Sequence, residues 1–410
     1  MVLTTISAVL FLVVFLADLF GLHTNPYIGV VFFLLLPGGF LVGLGLIPLG
    51  AWIERRRRAS GKPPTAAHWP RIDFDDPAQR WTAVLIFLLT IANVVIVSLA
   101  AYRGVEYMDS VSFCGQVCHT VMKPEFVGHQ SGPHANVRCV DCHVAPGASG
   151  FAAAKTAGTR RLLAELRGTY PTPVVPAARQ LPTAKETCEQ CHSPQLAHGD
   201  RIRRVVEYAD NEKNAASTTA LTMHVGVIHR HNAKDIEFIA TDKERQTIPY
   251  VRVTDGDGRV REFTTAGTTP ETLARGERRR MDCMDCHNRP SHVVVATPER
   301  AVNEVLARGG MPLTLPFIHR EAVKALKAGN PPALRDFYRS PGPEVDRAVA
   351  AVQEIYDRNV FPSMKVTFGS YPNNIGHIDS AGCFRCHDGE HTSKDGAKIA
   401  QDCETCHAIE

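Results

Sequence analysis

Long uncharged, apolar stretches are concentrated in the N-terminal part of the chain. Residues 1–17, 28–53 and 81–102 contain no Asp, Glu, Lys or Arg. Each stretch approaches or exceeds the roughly 20 residues that an α-helix needs to cross the hydrocarbon core of a membrane. The pattern therefore predicts a membrane anchor with three transmembrane helices. The predicted bounds are 1–104 for the anchor, about 1–20, 27–53 and 81–102 for its helices, and 54–80 for the linker between the second and third helices.

The first apolar stretch has a second interpretation, a cleaved signal peptide. It lacks the basic start and the small-residue cleavage site of such peptides, which favours a transmembrane helix. The basic run ERRRR at residues 54–58 directly follows the second predicted helix. Short loops rich in Lys and Arg stay in the cytoplasm, so the chain after Tyr102 is predicted on the periplasmic side of a bacterial inner membrane.

Beyond the anchor, the pattern divides the chain into three regions. Residues 105–200 show little apolar periodicity, and residues 201–280 are predicted as a β-rich insertion, because DIEFIA, IPYVRV and VREFTT cluster β-forming residues and DGDG is typical of a hairpin turn. Residues 281–410 contain PERAVNEVLAR, REAVKALKA and EVDRAVAAVQEIYDR, which have the spacing of amphipathic helices. We therefore expect a mainly α/irregular external domain with a small β insertion.

The spacing of the cysteines predicts which cofactor the external domain binds. Five segments have the form Cys-x-x-Cys-His. The two cysteines of such a segment can form thioether bonds to the vinyl groups of one porphyrin, and the histidine can bind its iron. Zinc sites and disulfides also use paired cysteines, but neither explains a histidine after every pair. The predicted iron-binding histidines of these motifs are His143, His192, His287, His387 and His407.

A sixth pair, Cys114 and Cys118 in FCGQVCH, has three spacer residues instead of two. If it is also a haem site, all twelve cysteines are used and none remains for a disulfide. The sequence then predicts six covalent haem c groups, three in 105–200 and three in 281–410. The predicted thioether cysteines are Cys114, Cys118, Cys139, Cys142, Cys188, Cys191, Cys283, Cys286, Cys383, Cys386, Cys403 and Cys406.

The chain has enough further histidines to give each iron a second ligand. Six of the eighteen histidines belong to the motifs, which leaves twelve. Closed, six-coordinate haems of this kind move electrons. His23 and His68 lie in predicted membrane-flanking segments and are not expected to be ligands, whereas solvent-exposed or propionate-binding roles are the alternatives for the others. The candidate distal ligands are His129, His134, His198, His224, His229, His231, His292, His377 and His391.

Net charge changes this picture little. The formal charge is +3 at pH 7, and the haem propionates would lower it. Arg160, Arg161 and the run at residues 275–280 can pair with propionates, although solvated arginines are the default. No argument for nucleic-acid binding follows from the charge.

The segment SFCGQVCHTVMKPEFVGHQSGPHANVRCVDCHVAPG resembles the start of the NapC/NirT family of membrane-anchored multihaem quinol dehydrogenases. The three-helix anchor and the long haem-bearing C-terminus are similar to a longer branch, the inner-membrane cytochromes of metal-reducing bacteria. The resemblance implies that menaquinol or ubiquinol supplies electrons and that periplasmic partners accept them. It also implies that Met122, rather than His119, can bind the first iron, and that Lys155 can bind the second; the extra spacer leaves the first choice open.

Three functions remain open from the sequence. The first is a quinol-oxidising enzyme that passes electrons to a periplasmic cytochrome or terminal reductase, with Glu106, Asp109 and Glu125 as possible proton acceptors. The second is a non-enzymatic electron-wire subunit of a larger respiratory or photosynthetic complex. The third, a reductase acting on a small substrate at an open haem, has the least support because histidines are plentiful.

Overall fold

The structure of the protein is a computed structural model. It describes Val9 and residues 36–61, 73–117, 119–174, 181–193, 199–339 and 342–409. The chain divides into two compact units, Met1–Ser110 and Val111–Glu410.

The first unit contains two long helices, α1 (Leu36–Ala59) and α2 (Pro77–Met108). Asp76 caps α2 by accepting a hydrogen bond from the backbone N–H of Ala78, and Pro77 occupies the first turn, where its missing N–H is not needed. Within the part of the chain that the structure describes, α2 is the one helix long and apolar enough to cross a membrane, with a mean hydropathy of 2.7.

The predicted three-helix anchor lies only in part within the described residues. Helix α2 includes the third predicted span, and α1 includes the last two thirds of the second span together with the ERRRR run. The first predicted span, apart from Val9, lies outside the described residues, as do His23 and His68.

The second unit starts with short helices that carry the first cysteine motifs. A π-helical turn, Phe113–Val117, is followed by α3 (His119–Gln130), α4 (Cys139–His143) and α5 (Gly147–Leu166). Further along the chain the helices are α6 (Val225–Ile228), α7 (Pro270–Arg275), α8 (Cys283–Cys286), α9 (Pro298–Ala307), α10 (Ile318–Lys327), α11 (Leu334–Tyr338), α12 (Pro343–Asn359) and α13 (Cys403–Cys406).

Two antiparallel sheets are formed by the region that was predicted to be β-rich and by the C-terminus. Their strands are β1 (Arg201–Tyr208), β2 (Ala216–Met223), β3 (Asp235–Ala240), β4 (Tyr250–Thr254), β5 (Val260–Thr264), β6 (Glu277–Arg280), β7 (Thr392–Ser393) and β8 (His407–Ile409). The orders are β1-β2-β8 and β6-β3-β4-β5-β7. Each sheet thus receives one strand from the end of the chain.

Three hydrophobic clusters hold the second unit together. The largest joins α9, α10 and α12, with Val302, Ala322 and Val352 fully buried. The second lies around Phe238 in the five-stranded sheet. The third packs Phe361 and its neighbours against the apolar side chains of α3, including Val121 and Val127.

Candidate haem-binding sites

Each regular cysteine motif lies on a short helical turn. The turns are α4, α8, α13 and two 3₁₀ segments, Cys188–Gln190 and Gly382–Arg385. A helical turn places residues three apart on the same face, so both thiols of each motif face one side. None of the eleven described cysteines forms a disulfide, which leaves them available for thioether bonds.

The irregular first motif coincides with a π-helical turn. Phe113–Val117 contains Cys114, and α3 begins at His119. A π-helical turn holds one more residue than an α-helical turn, because its hydrogen bonds run from residue i to i+5. The extra spacer therefore has a local structural explanation. Cys118 and the side chain of His119 lie outside the described residues.

Five motif histidines each face one histidine from outside the motifs. The distances between their ring centroids fall between 5.8 and 6.2 Å. The pairs are His143 with His292, His192 with His134, His287 with His229, His387 with His231, and His407 with His377.

This spacing fits two imidazoles on opposite sides of one metal ion. A metal–nitrogen bond of about 2 Å on each side, plus roughly 1 Å from each nitrogen to its ring centre, separates the centroids by about 6 Å. Direct stacking would bring the rings closer, as for His377 and Phe384, whose centroids lie 4.2 Å apart. The residues present therefore fit six-coordinate haem at five sites.

Hydrogen bonds also fix which nitrogen carries the hydrogen in several of these rings. Because a backbone carbonyl can only accept, a ring nitrogen in contact with one carries the hydrogen, and the other nitrogen keeps its lone pair for a metal. The Nδ1 atoms of five paired histidines donate to carbonyl oxygens: His134 to Pro290 (3.1 Å), His229 to Val225 (2.9 Å), His231 to Ile228 (2.6 Å), His292 to Glu125 (2.8 Å) and His387 to Ala400 (2.6 Å).

Burial supports the same protonation state. It lowers the pKa of His231 and of His292 below the ordinary value for histidine, because desolvation disfavours the charged ring. The neutral imidazole is the form that binds a metal.

Comparisons with known proteins agree with this geometry. Residues 76–234 match the NapC/NirT cytochrome c family, N-terminal region. The cytochrome c-type protein ImcH of Geobacter sulfurreducens is 39% identical over 414 residues, which cover 94% of this chain and 82% of that protein. The chain belongs to the NapC/NirT cytochrome c family. This family consists of membrane-anchored, haem-containing electron-transfer proteins, and no solved structure matches the chain.

The matched family segment does not contain all the partners of its own motif histidines. His134 lies inside it and faces His192, whereas His292, which faces His143, lies beyond its end at residue 234.

Lys155 was suggested by the family resemblance as a ligand of the second iron. Its Nζ lies 4.9 Å from the centre of the Phe151 ring. The ring that faces His143 is that of His292, and the described contact of Lys155 is with Phe151.

The other candidate distal ligands face no motif histidine among the described rings, although the ring centroid of His129 also lies 6.1 Å from that of His292. His129 donates from Nε2 to the carbonyl of Val137 (3.0 Å), and its Nδ1 lies 3.3 Å from Nε2 of Gln130. His224 contacts Asp200 through Nδ1 (3.0 Å). Both nitrogens of His391 are engaged, as considered below, and His198 lies outside the described residues.

The three predicted proton acceptors also differ. Glu106 is exposed and pairs with Arg103 at 2.7 Å, and Asp109 caps the C-terminus of α2. Glu125, on α3, is instead largely buried and pairs with Arg289 at 3.0 Å. The structure does not bring Glu125 to an open surface.

The spacer residues of two motifs are joined by contacts that the sequence interpretation missed. Arg385, inside the fifth motif, donates to the carbonyl of Asp285, inside the fourth, at 2.7 Å. Asp285 accepts from Arg279 at 3.1 Å. An arginine between the two cysteines of a motif is the sequence feature that could have suggested this contact. Its partner, Asp285, is 100 residues away and cannot be identified from the sequence.

Proposed function

We propose that this protein is a hexahaem cytochrome c that oxidises a membrane quinol at the periplasmic surface and passes the electrons to a periplasmic or complex-bound acceptor. The observation that carries the proposal is the set of five histidine pairs with centroid spacings near 6 Å. Closed coordination of this kind suits electron transfer and leaves no exchangeable position for a small substrate. It therefore favours electron transfer over the reductase alternative.

In this proposal the haems, when bound, supply one-electron redox centres between the quinol and the acceptor. The chain attaches them through six cysteine pairs and holds five of them between a motif histidine and its paired histidine. The carbonyl contacts of Nδ1 hold the rings in place and make Nε2 the nitrogen that would bind the metal. The axial ligands and the hydrogen bonds around them are among the features that set the redox potential of a haem.

The first site is the proposed place of quinol oxidation. Cys114 follows the predicted third membrane span closely in sequence, and this site alone has an irregular motif and the choice between His119 and Met122. Glu106 and Asp109 lie at the end of α2 and are proposed to accept the two protons. The quinol is menaquinol or ubiquinol, as the family resemblance implies.

The test is quinol-driven reduction of the purified, full-length protein. A menaquinol analogue should reduce the wild-type haems within seconds, and Met122→Leu should slow this reduction at least tenfold while dithionite still reduces all the haems. Lys123→Leu, next along α3, is the matched control and should leave the rate unchanged. No reduction of the wild type by quinol would favour the electron-wire alternative.

A further inference from the structure

Helix α3 lies in close contact with the backbone around His292. A Cβ atom on Gly128 would lie 3.2 Å from the carbonyl oxygen of Val293, and one on Gly132, just past the end of the helix, would lie 2.8 Å from that of Ser291. Contacts this short leave little room for a side chain. The two glycines therefore let α3 pack directly on the segment that carries the proposed ligand of the second haem.

Glu125 lies one turn before Gly128 and forms a buried ion pair in this interface. Both carboxylate oxygens accept from Nη2 of Arg289, at 3.0 and 3.3 Å. The side chains of Arg289 and Glu125 are only 9% and 13% exposed. The Arg289 guanidinium also lies 4.0 Å from the centre of the Tyr371 ring, so both charges of the pair are held in fixed positions.

The same pair contacts His292 from two directions. The Nδ1 atom of His292 donates to the backbone carbonyl of Glu125 at 2.8 Å and lies 3.3 Å from its carboxylate. Arg289 donates from Nε to the backbone carbonyl of His292 at 2.7 Å. The ring and the backbone of His292 are therefore both fixed by one ion pair.

From these contacts we infer that Glu125 is a positioning residue, which with Arg289 as its counter-ion holds the imidazole of His292 towards His143. The inference rests on the proposed function, in which His143 and His292 hold the second haem. It gives Glu125 a role different from proton acceptance, because both of its oxygens are bound to a buried arginine. Carboxylates next to metal-binding histidines commonly fix ring orientation in this way.

Helix α3 connects the first haem motif with the ligand of the second site. Helix α3 begins at His119 of the first motif and reaches the ligand of the second site within three turns. Glu125, one of the two residues that position His292, therefore lies on the helix that follows the proposed quinol site. A change in α3 is expected to affect both sites.

The test uses electron paramagnetic resonance of the oxidised, full-length protein in detergent, with haem content measured as pyridine haemochrome. His292→Ala first identifies the low-spin signal of the second site. Glu125→Ala should then reduce that same signal to less than about half and produce a high-spin signal, at unchanged haem content, whereas Glu125→Gln, which keeps an oxygen acceptor, should retain most of it.

Two further variants provide an independent test and a control. Gly128→Ala keeps every polar group and displaces only the backbone near His292, so it should shift the g-values of the same signal. Asp210→Ala is the matched control: Asp210 accepts from Nδ1 of His319 at 2.7 Å, and His319 has no motif histidine facing it among the described rings, so all low-spin signals should remain.

The outcomes separate the inference from the proposed function, because no quinol is used. If Glu125→Ala and Gly128→Ala leave intact a signal that His292→Ala removes, His292 is a ligand but Glu125 does not position it. If His292→Ala removes no signal, the proposed ligand pair is incorrect and the positioning role fails with it.

Discussion

The two nitrogens of each imidazole decide what a histidine can do in this chain. In His231, Nδ1 donates to the carbonyl of Ile228, and the ring centroid lies 5.8 Å from that of His387. In His391 both nitrogens are used: Nδ1 contacts Asp388 at 2.9 Å, and Nε2 contacts the carbonyl of Ile248 at 2.7 Å. Both histidines were candidate distal ligands in the sequence, which shows residue type but not the neighbours of each atom.

His391→Ala should therefore destabilise the fold without removing an iron ligand. The ring is completely buried, and its loss leaves a carboxylate and a carbonyl without their partner, which costs about 2–4 kcal/mol. Thermal unfolding followed by visible absorption should show a lower midpoint, while the low-spin resonance signals at low temperature stay unchanged. Loss of one low-spin signal in this variant would make His391 a ligand after all.

At the scale of elements, one short segment serves two different sites. Helix α6 and the 3₁₀ turn His229–Ala233 place His229 opposite His287 and His231 opposite His387. The Arg385 contact with Asp285 joins the corresponding motifs. The fourth and fifth motifs are thus held as one assembly.

Substitution of the two histidines in this segment should affect different haems. His229→Ala should convert one low-spin haem to a high-spin form and His231→Ala a different one, because each ring faces its own motif histidine. Resonance spectra of the two single variants and the double variant test this. The double variant should show both losses together; the same signal lost in both single variants would contradict the pairing.

The haem sites show which features of the fold can be predicted from the sequence and which cannot. A thioether motif is local, since two cysteines and a histidine within five residues carry all its chemistry, and strand-forming stretches such as DIEFIA are also local signals. The distal partners are not local: His292 faces His143 across half of the unit's sequence. Only the folded chain decides which of several available histidines reaches each site.

At the scale of the whole molecule, the C-terminal residues complete structures that begin far earlier. Strand β8 contains His407 and pairs with β2, and β7 pairs with β5. The last motif is therefore fixed to the region that was predicted as a separate insertion. Haem sites and sheets share one scaffold in the second unit, whose internal contacts run from Val111 to Glu410.

The first motif differs from the other five in its spacing, and the loss of its haem should be distinguishable from the loss of any other. Its motif lies on a π-helical turn at the start of the unit. The double variant Cys114→Ala/Cys118→Ala should lower the pyridine haemochrome count from six to five and preserve the low-spin signals of the paired sites.

The rate of quinol-driven reduction in this double variant should fall at least a hundredfold, while dithionite still reduces the five remaining haems. Unchanged stoichiometry would show that this cysteine pair holds no haem, and unchanged quinol-driven reduction would place quinol oxidation at another site.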